Sequence, residues 1–261
     1  MHGALPALRV AVVTPYHGEP AAVLRRCMHS VRAQDHPHVV HYMVADGLPQ
    51  PALLAEWPQV RHIPLPHGNA NFGCTPRGIG ALCALADGAD VVCFLDADNL
   101  FLPGHVASVV QAYAEARARG RPVDAVFSSR HMFLPGREDL RIVPPDEAPG
   151  SEFVDTNCIS LARSAGFLWG AWSQLPRSLT PICDRAMCWL MQHHGLRVRW
   201  THQYTVLYES HWRGTYLQAG LAPPEGLHDE RLGAAGAGLT PEELWGLLRV
   251  RWTFDPPARQ A

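Results

Sequence analysis

The chain of 261 residues contains no lysine; all 22 of its cationic side chains are arginine. Mechanisms that run through a lysine amine, such as P-loop nucleotide hydrolysis and pyridoxal Schiff-base chemistry, are thereby excluded. A cysteine framework is also missing. The seven cysteines are odd in number, scattered and without a C-x-x-C pair; Cys83, Cys93 and Cys188 fall in apolar runs as small hydrophobes, which fits a reducing cytoplasm. Long hydrophobic runs are lacking too. Leu8 to Val13 is too short for a signal peptide or a membrane span, so a cytoplasmic location is expected, with peripheral membrane association left open. With a net charge of -2 and no basic stripe, electrostatic binding to nucleic acid or anionic lipid is excluded as a main activity.

What is present is an ordinary globular composition, 47% apolar and 18% charged, in a chain long enough for one large domain or two small ones. The first half alternates strand and helix patterns at short intervals, the mark of an α/β fold with a mostly parallel sheet flanked by helices. Strands are expected over Leu8 to Thr14, Val39 to Ala45, Val60 to Pro64, Val91 to Asp96 and Ala125 to Ser129. Helices are expected over Pro20 to Ala33, Thr75 to Ala86 (Thr75 as cap, Pro76 at the first helical position) and Pro103 to Arg119. After residue 135 the turn formers of PGREDLRIVPPDEAPG suggest a hairpin or loop. Beyond it, VDTNCISLARSAG reads as strand and short helix, LTPICDRAMCWLMQHHG as a capped helix, LRVRWTHQYTVLYES as one or two strands, and TPEELWGLLRV as a helix with a Thr240/Glu243 capping box.

Chemistry concentrates at VVCFLDADNL. Val91 to Leu95 form a short continuous apolar run, the pattern of a strand buried on both faces, so Asp96 and Asp98 sit at its C-terminal end. That edge of an open α/β sheet faces the ligand crevice, and two adjacent carboxylates repel unless a cation, a proton or solvent relieves them. A divalent metal is the sharpest answer; two acids in a surface turn are the plain one.

In order along the chain, VAVVTPYHGEP, VADG, N-x-x-F-G-x-x-x-R-x-x-G, FLDADN and CDRAMCWLM resemble a family-2 glycosyltransferase of GT-A fold, over about residues 8 to 212. The resemblance implies a single domain across 1–261, with a nucleotide-binding half at about 8–130, an acceptor and catalytic half at about 131–215 and a helical tail at 216–261. It implies a nucleotide-sugar donor and an acceptor of unstated kind, with Mn²⁺ or Mg²⁺ held by the D-x-D acids against the donor diphosphate. Asp98 is then the direct ligand, Asp96 reaches the ribose or the metal through water, and Ala97 lies between them against the donor. A hard cation bound by carboxylate oxygens would neutralise the departing diphosphate. His211 is the expected further ligand, with His202 competing.

The resemblance also makes Asp184 the general base. Thr180 as cap and Pro181 as first helical residue would place Asp184 near a helix N-terminus and keep it ionised at neutral pH, ready to take the proton of an attacking hydroxyl with inversion. Asp46, before the turn-permitting Gly47, matches the acid that bonds uracil in that family, which favours a UDP-sugar; capping its turn is the alternative. Thr14, Pro15, Tyr16 and Glu19 line the first turn, with Tyr16 stacking on the base or packing against the next helix. Arg77 at a helix start is a diphosphate site or a solvated Arg. Asp155 and Asn157 fall where the acceptor side begins, and Trp169 and Trp172 stack on an acceptor sugar or pack in the core.

Three rivals share parts of this pattern. A haloacid-dehalogenase-type phosphatase would use Asp96 as nucleophile but needs a downstream Lys and a motif near the N-terminus. A nucleotidyltransferase would share the nucleotide site yet wants a Gly-rich basic opening. An inactive nucleotide-sugar binder would not need Asp184.

Overall fold

The computed structural model describes residues 8–144 and 154–227 and position 243. Strand β1 (Val10–Tyr16) lies at the centre, buried along its whole length. Helix α1 (Ala21–Arg32), strand β2 (Val39–Asp46), the short helix α2 (Pro51–Ala55) and strand β3 (Arg61–Leu65) carry the chain outward on one side. Helix α3 (Cys74–Ala86) then returns it to strand β4 (Val91–Phe94) on the other side of β1. These four strands are parallel, with Val10 opposite both Val39 and Val91. The reversal of strand order at β1 opens a crevice at the C-terminal edge, where ligands bind in such sheets.

The second half extends the sheet with mixed direction. After β5 (Leu100–Phe101) and helix α4 (His105–Ala118) come the long strand β6 (Ala125–Leu134), its hairpin partner β7 (Arg137–Ile142) and β8 (Ile159–Ala162). Strand β8 runs antiparallel between β4 and β6. Helix α5 (Cys183–His193) precedes β9 (Val198–Glu209), which pairs parallel to β6 and antiparallel to β5, and α6 (Arg213–Gln218) follows. Because β6 and β9 run in the direction of β4, the end of β9 arrives at the same sheet edge as the acid pair. Among the described residues the mixed sheet has nine strands, ordered β3-β2-β1-β4-β8-β6-β9-β5 with β7 beside β6.

Packing explains why glycine punctuates α3. A Cβ on Gly80 would stand 2.6 Å from Val13 Cγ1 and 2.8 Å from Val44 Cγ2, so α3 lies directly on β1 and β2. One continuous apolar core joins these strands to Trp169, Trp172 and the buried face of α5, and a smaller one gathers Tyr16, Leu24, Met28, Met43 and Trp57.

Several local expectations are corrected. Helix α3 begins at Cys74, behind the left-handed Gly73. Thr75 is therefore not its cap; Asn71 takes that part, its Oδ1 accepting from the Thr75 N–H at 3.3 Å and its Nδ2 donating to Thr75 Oγ1 at 2.7 Å. Thr180 and Pro181 belong to a 3₁₀ segment over Arg177–Ile182, where Thr180 Oγ1 donates back to the Arg177 carbonyl, and α5 starts only at Cys183 with no side-chain cap. The expected tail helix, apart from position 243, lies outside the described residues.

Candidate functional site

The parallel register brings the ends of β1, β2 and β4 level, so Tyr16, Asp46 and the turn Asp96-Ala97-Asp98 share one edge. Asp96 is held from two sides. Arg77 Nη2 lies 2.5 Å from its Oδ1, while Asn157 accepts from the Asp96 N–H at 2.6 Å and donates to Oδ2 at 3.1 Å. Arg77 is only 2% exposed, with its guanidinium 5.0 Å over the Trp172 ring and Nη1 3.3 Å from the Phe72 carbonyl. It therefore lies beneath the crevice, spending its charge on Asp96, where the sequence suggested a diphosphate contact or a solvated side chain.

Asn157 extends this contact into the second half of the molecule. Its Nδ2 also reaches Asp155 Oδ1 at 2.7 Å, and Asp155 Oδ2 lies 3.9 Å from Arg130 Nη1. A chain of polar contacts thus runs Arg77, Asp96, Asn157, Asp155, Arg130.

Asp98 has no such partner: no described salt bridge includes it. Burial, then the charges of Asp96, Glu209 and Glu19, push its carboxyl up to about 7. This is a carboxylate waiting for positive charge. Behind it, Arg26 from α1 donates to the Asp98 carbonyl at 2.9 Å and pairs with Glu209 at 2.5 Å and Glu138 at 2.8 Å. The Glu209 backbone N–H in turn donates to Asn99 Oδ1 at 2.8 Å, and its Oε1 stands 3.3 Å from His211 Nε2. Pairing of β9 with β5 creates these contacts. His202 is placed elsewhere, in the bulge of β9 with φ +56 and stacked with Trp200, seven residues or ~23 Å of strand before Glu209.

Among the described residues, no three His, Cys, Asp or Glu side chains are arranged to hold a metal. The donor chemistry nonetheless suits a hard divalent cation, since such an ion needs only one or two protein carboxylates when a diphosphate supplies its other oxygens. The uncompensated Asp98 is the observation that favours this fit.

Asp184 sits in the first turn of α5, with Oδ1 accepting from the Arg185 N–H at 2.7 Å. The expected cap is absent, and the carboxyl is not held low as a capped helix start would hold it. Burial, then the neighbouring Asp155, push the carboxyl up to about 7, because desolvation and a like charge outweigh the first-turn amides. A carboxyl so poised exchanges protons near neutral pH.

At the β2 end, Asp46 is 5% exposed and its Oδ1 accepts from both the backbone N–H (3.0 Å) and the side-chain amide (2.5 Å) of Asn69. A Cβ on Gly47 would fall 2.2 Å from Gly68 N, so the loop after β3 passes directly over this turn. Tyr16, 2% exposed, packs in the smaller core, its hydroxyl 2.8 Å from His62 Nε2 and accepting from the Gln50 N–H at 3.0 Å. It offers no face to a base. Thr14 is likewise internal, bonded to His41 at 2.8 Å, and Pro15 is buried beside it. Glu19 Oε2 accepts from the His17 N–H at 2.6 Å and stays near Asp98, while Ala97 is buried against Tyr16 in the smaller core. Trp169 and Trp172 are both fully buried, so neither meets an acceptor sugar.

The sequence reading gave no role to Glu209, Arg26 or Asn69. Asn69 had a signal as the first residue of the N-x-x-F-G pattern, and Asn157 in the D-x-N of VDTNC; Glu209 and Arg26 are brought to the site by long-range packing that no local pattern encodes.

The fold, a mostly parallel sheet flanked by helices, matches that of GT-A glycosyltransferase structures. Residues 11–121 match the model described as glycosyl transferase family 2. No curated protein matches it in sequence. Among solved structures it is similar to S. aureus TarS 1-349, at 12% identity and TM-score 0.59, covering 92% of this chain and 69% of that one. TarS 1-349 in complex with UDP-GlcNAc gives 14% identity and TM-score 0.62, with 93% of this chain and 65% of that one covered. Against a further S. aureus TarS structure, at 14% identity and TM-score 0.59, 92% of this chain covers only 42% of that chain.

Proposed function

We propose that this glycosyltransferase moves a sugar from a nucleoside-diphosphate sugar, a UDP-sugar by preference, to an acceptor hydroxyl with inversion. The observation that carries the reading is the acid pair at the C-terminal end of β4, with Asp96 fixed by Arg77 and Asn157 and Asp98 in none of the described salt bridges; the raised carboxyls of Asp98 and Asp184 agree with it. Asp46 at the end of β2 receives the nucleobase, and UDP-GlcNAc in the TarS complex supports a uracil nucleotide there.

Asp98, with Asp96 beside it and His211 beyond Glu209, would hold Mn²⁺ or Mg²⁺ together with the donor diphosphate. When bound, that ion neutralises the negative charge of the leaving diphosphate. Arg77 and Asn157 fix Asp96 in the orientation it needs, and Arg26 fixes the Asp98 backbone. On the acceptor side, Asp184 accepts the proton of the hydroxyl as its oxygen bonds to the anomeric carbon and the bond from that carbon to the diphosphate oxygen breaks. The nucleoside diphosphate leaves with the bonding pair. Asp155 lies close enough to raise Asp184, which matches a base to neutral pH. Nothing favours the phosphatase rival: Asp96, its nucleophile, is tied up by Arg77 and Asn157.

The test is a thermal-shift panel of UDP-, GDP- and dTDP-sugars with and without Mn²⁺, followed by product release from the stabilising donor. A ligand that binds only the folded state raises the melting temperature. A UDP-sugar is expected to do so with Mn²⁺; no shift from any nucleotide sugar overturns the reading.

A further inference from the structure

The loop between β3 and α3 crosses the C-terminal edge from β2 to β1. Asn69 holds Asp46, Gly68 lies over Gly47, and a Cβ on Gly73 would stand 3.0 Å from Pro15 Cγ. Phe72 lies on this path, between the Asp46 anchor and the Arg77 anchor. Its backbone is left-handed, with φ 56, and Ala70 two residues earlier has φ 48. Positive φ is an outlier for a bulky residue and persists only where the surroundings impose it. The surroundings are visible: Arg77, which orients Asp96, donates to the Phe72 carbonyl, and the Cys74 N–H closes the turn onto Asn71 O at 3.1 Å.

The result is an aromatic residue 67% exposed at the rim of the crevice, in a loop anchored on both sides of it by Asn69 on Asp46 and by Arg77. A strained backbone that presents a phenyl ring to solvent costs stability twice, through the conformation and through the apolar exposure. Tyr16, the aromatic from β1 that would stack on a base, is sealed in the smaller core.

Resting on the nucleotide-sugar reading, we propose that Phe72 is the stacking platform for the donor's nucleobase, while Asp46 lies at the base's edge. Every base has a π-face, so the ring supplies affinity, and selection among bases falls to Asp46 and Asn69. The link through Arg77 means that the same guanidinium sets both the platform and the first acid of D-x-D.

Isothermal titration with UDP and with inorganic pyrophosphate, each with Mn²⁺, separates base stacking from diphosphate binding. Phe72→Gly removes the ring yet adopts the same φ without strain; Phe72→Trp keeps a ring. UDP affinity should fall about 10-fold in the Gly variant, on the scale of one base–aromatic stack, and be retained in the Trp variant. Pyrophosphate affinity should be equal in all three proteins. Unchanged UDP affinity in Phe72→Gly overturns the platform, as does parallel loss of UDP and pyrophosphate, which makes Phe72 a loop scaffold. A parent chain that binds pyrophosphate but not UDP overturns the nucleotide-sugar reading and the platform with it.

Discussion

Asn157 grips Asp96 twice, through the backbone N–H at 2.6 Å and the side-chain Oδ2 at 3.1 Å. One amide thereby sets both where β4 ends and which way its first acid points. It is 1% exposed, so no water replaces it.

Removing that amide has a defined cost. Asn157→Ala leaves the Asp96 N–H and Asp96 Oδ2 without their Asn157 partner, while Asp155 Oδ1 keeps the backbone N–H of residue 157; each polar group so orphaned costs about 1–3 kcal/mol. The melting temperature should drop and Mn²⁺-dependent UDP affinity should fall with it. Asn157→Asp should be worse, since it sets a third carboxylate between two others. A calorimetric scan in which the Asp variant is as stable as the parent sinks this account.

Asp98 behaves oppositely, because it is a charge without a partner. Asp98→Asn relieves repulsion from Asp96, Glu209 and Glu19, so folding should be preserved or strengthened while Mn²⁺-dependent nucleotide binding is lost. His211→Ala should weaken Mn²⁺ activation and leave metal-free UDP binding unchanged. Equal Mn²⁺ titration curves for parent and Asp98→Asn would remove the metal from this place.

Asp184 links stability to pH with a sign that can be checked. Its folded carboxyl titrates at about 7, above the ordinary 3.8, so folding favours the protonated form. This contribution is complete at low pH and lost as pH rises through 7. Asp184→Asn should therefore raise the melting temperature more at pH 8 than at pH 5.5, while turnover falls by roughly 10²-fold or more and donor affinity stays the same. The parent's turnover at saturating donor should rise with pH through about 7. A variant that transfers sugar at the parental rate would leave Asp184 a helix-end residue only.

Gly80 tests the fold apart from the chemistry. Gly80→Ala drives a methyl into Val13 and Val44, and overpacking of this kind costs about 1–3 kcal/mol. Chemical denaturation should show the loss. If Gly80→Ala matches the parent in its midpoint, α3 does not pack on β1 and β2 as described.

The order of elements in the first half was legible because strand burial is local: Val10 to Tyr16, Val39 to Asp46 and Val91 to Phe94 announce themselves as short apolar runs between turn formers. The D-x-D position was equally plain, since a parallel strand's end must face the crevice. The expected cap at Thr75 failed because Asn71, two residues before a left-handed glycine, caps the helix from outside it.

The sequence by itself determined that two acids end a buried strand, that Asp184 opens a helix, and that lysine chemistry has no place here. Only the tertiary structure decided their electrical states. Asp96 is neutralised by Arg77 and Asn157 and Asp98 is not, because the first residue meets α3 and the segment before β8, whereas the second meets the end of β9 and its Glu209. Likewise Tyr16 at the end of β1 and Phe72 in the loop before α3 are both aromatics, yet burial takes one into the core and the other, on a left-handed backbone, is exposed. Such differences come from long-range pairing and desolvation, which depend on neighbours distant in the chain.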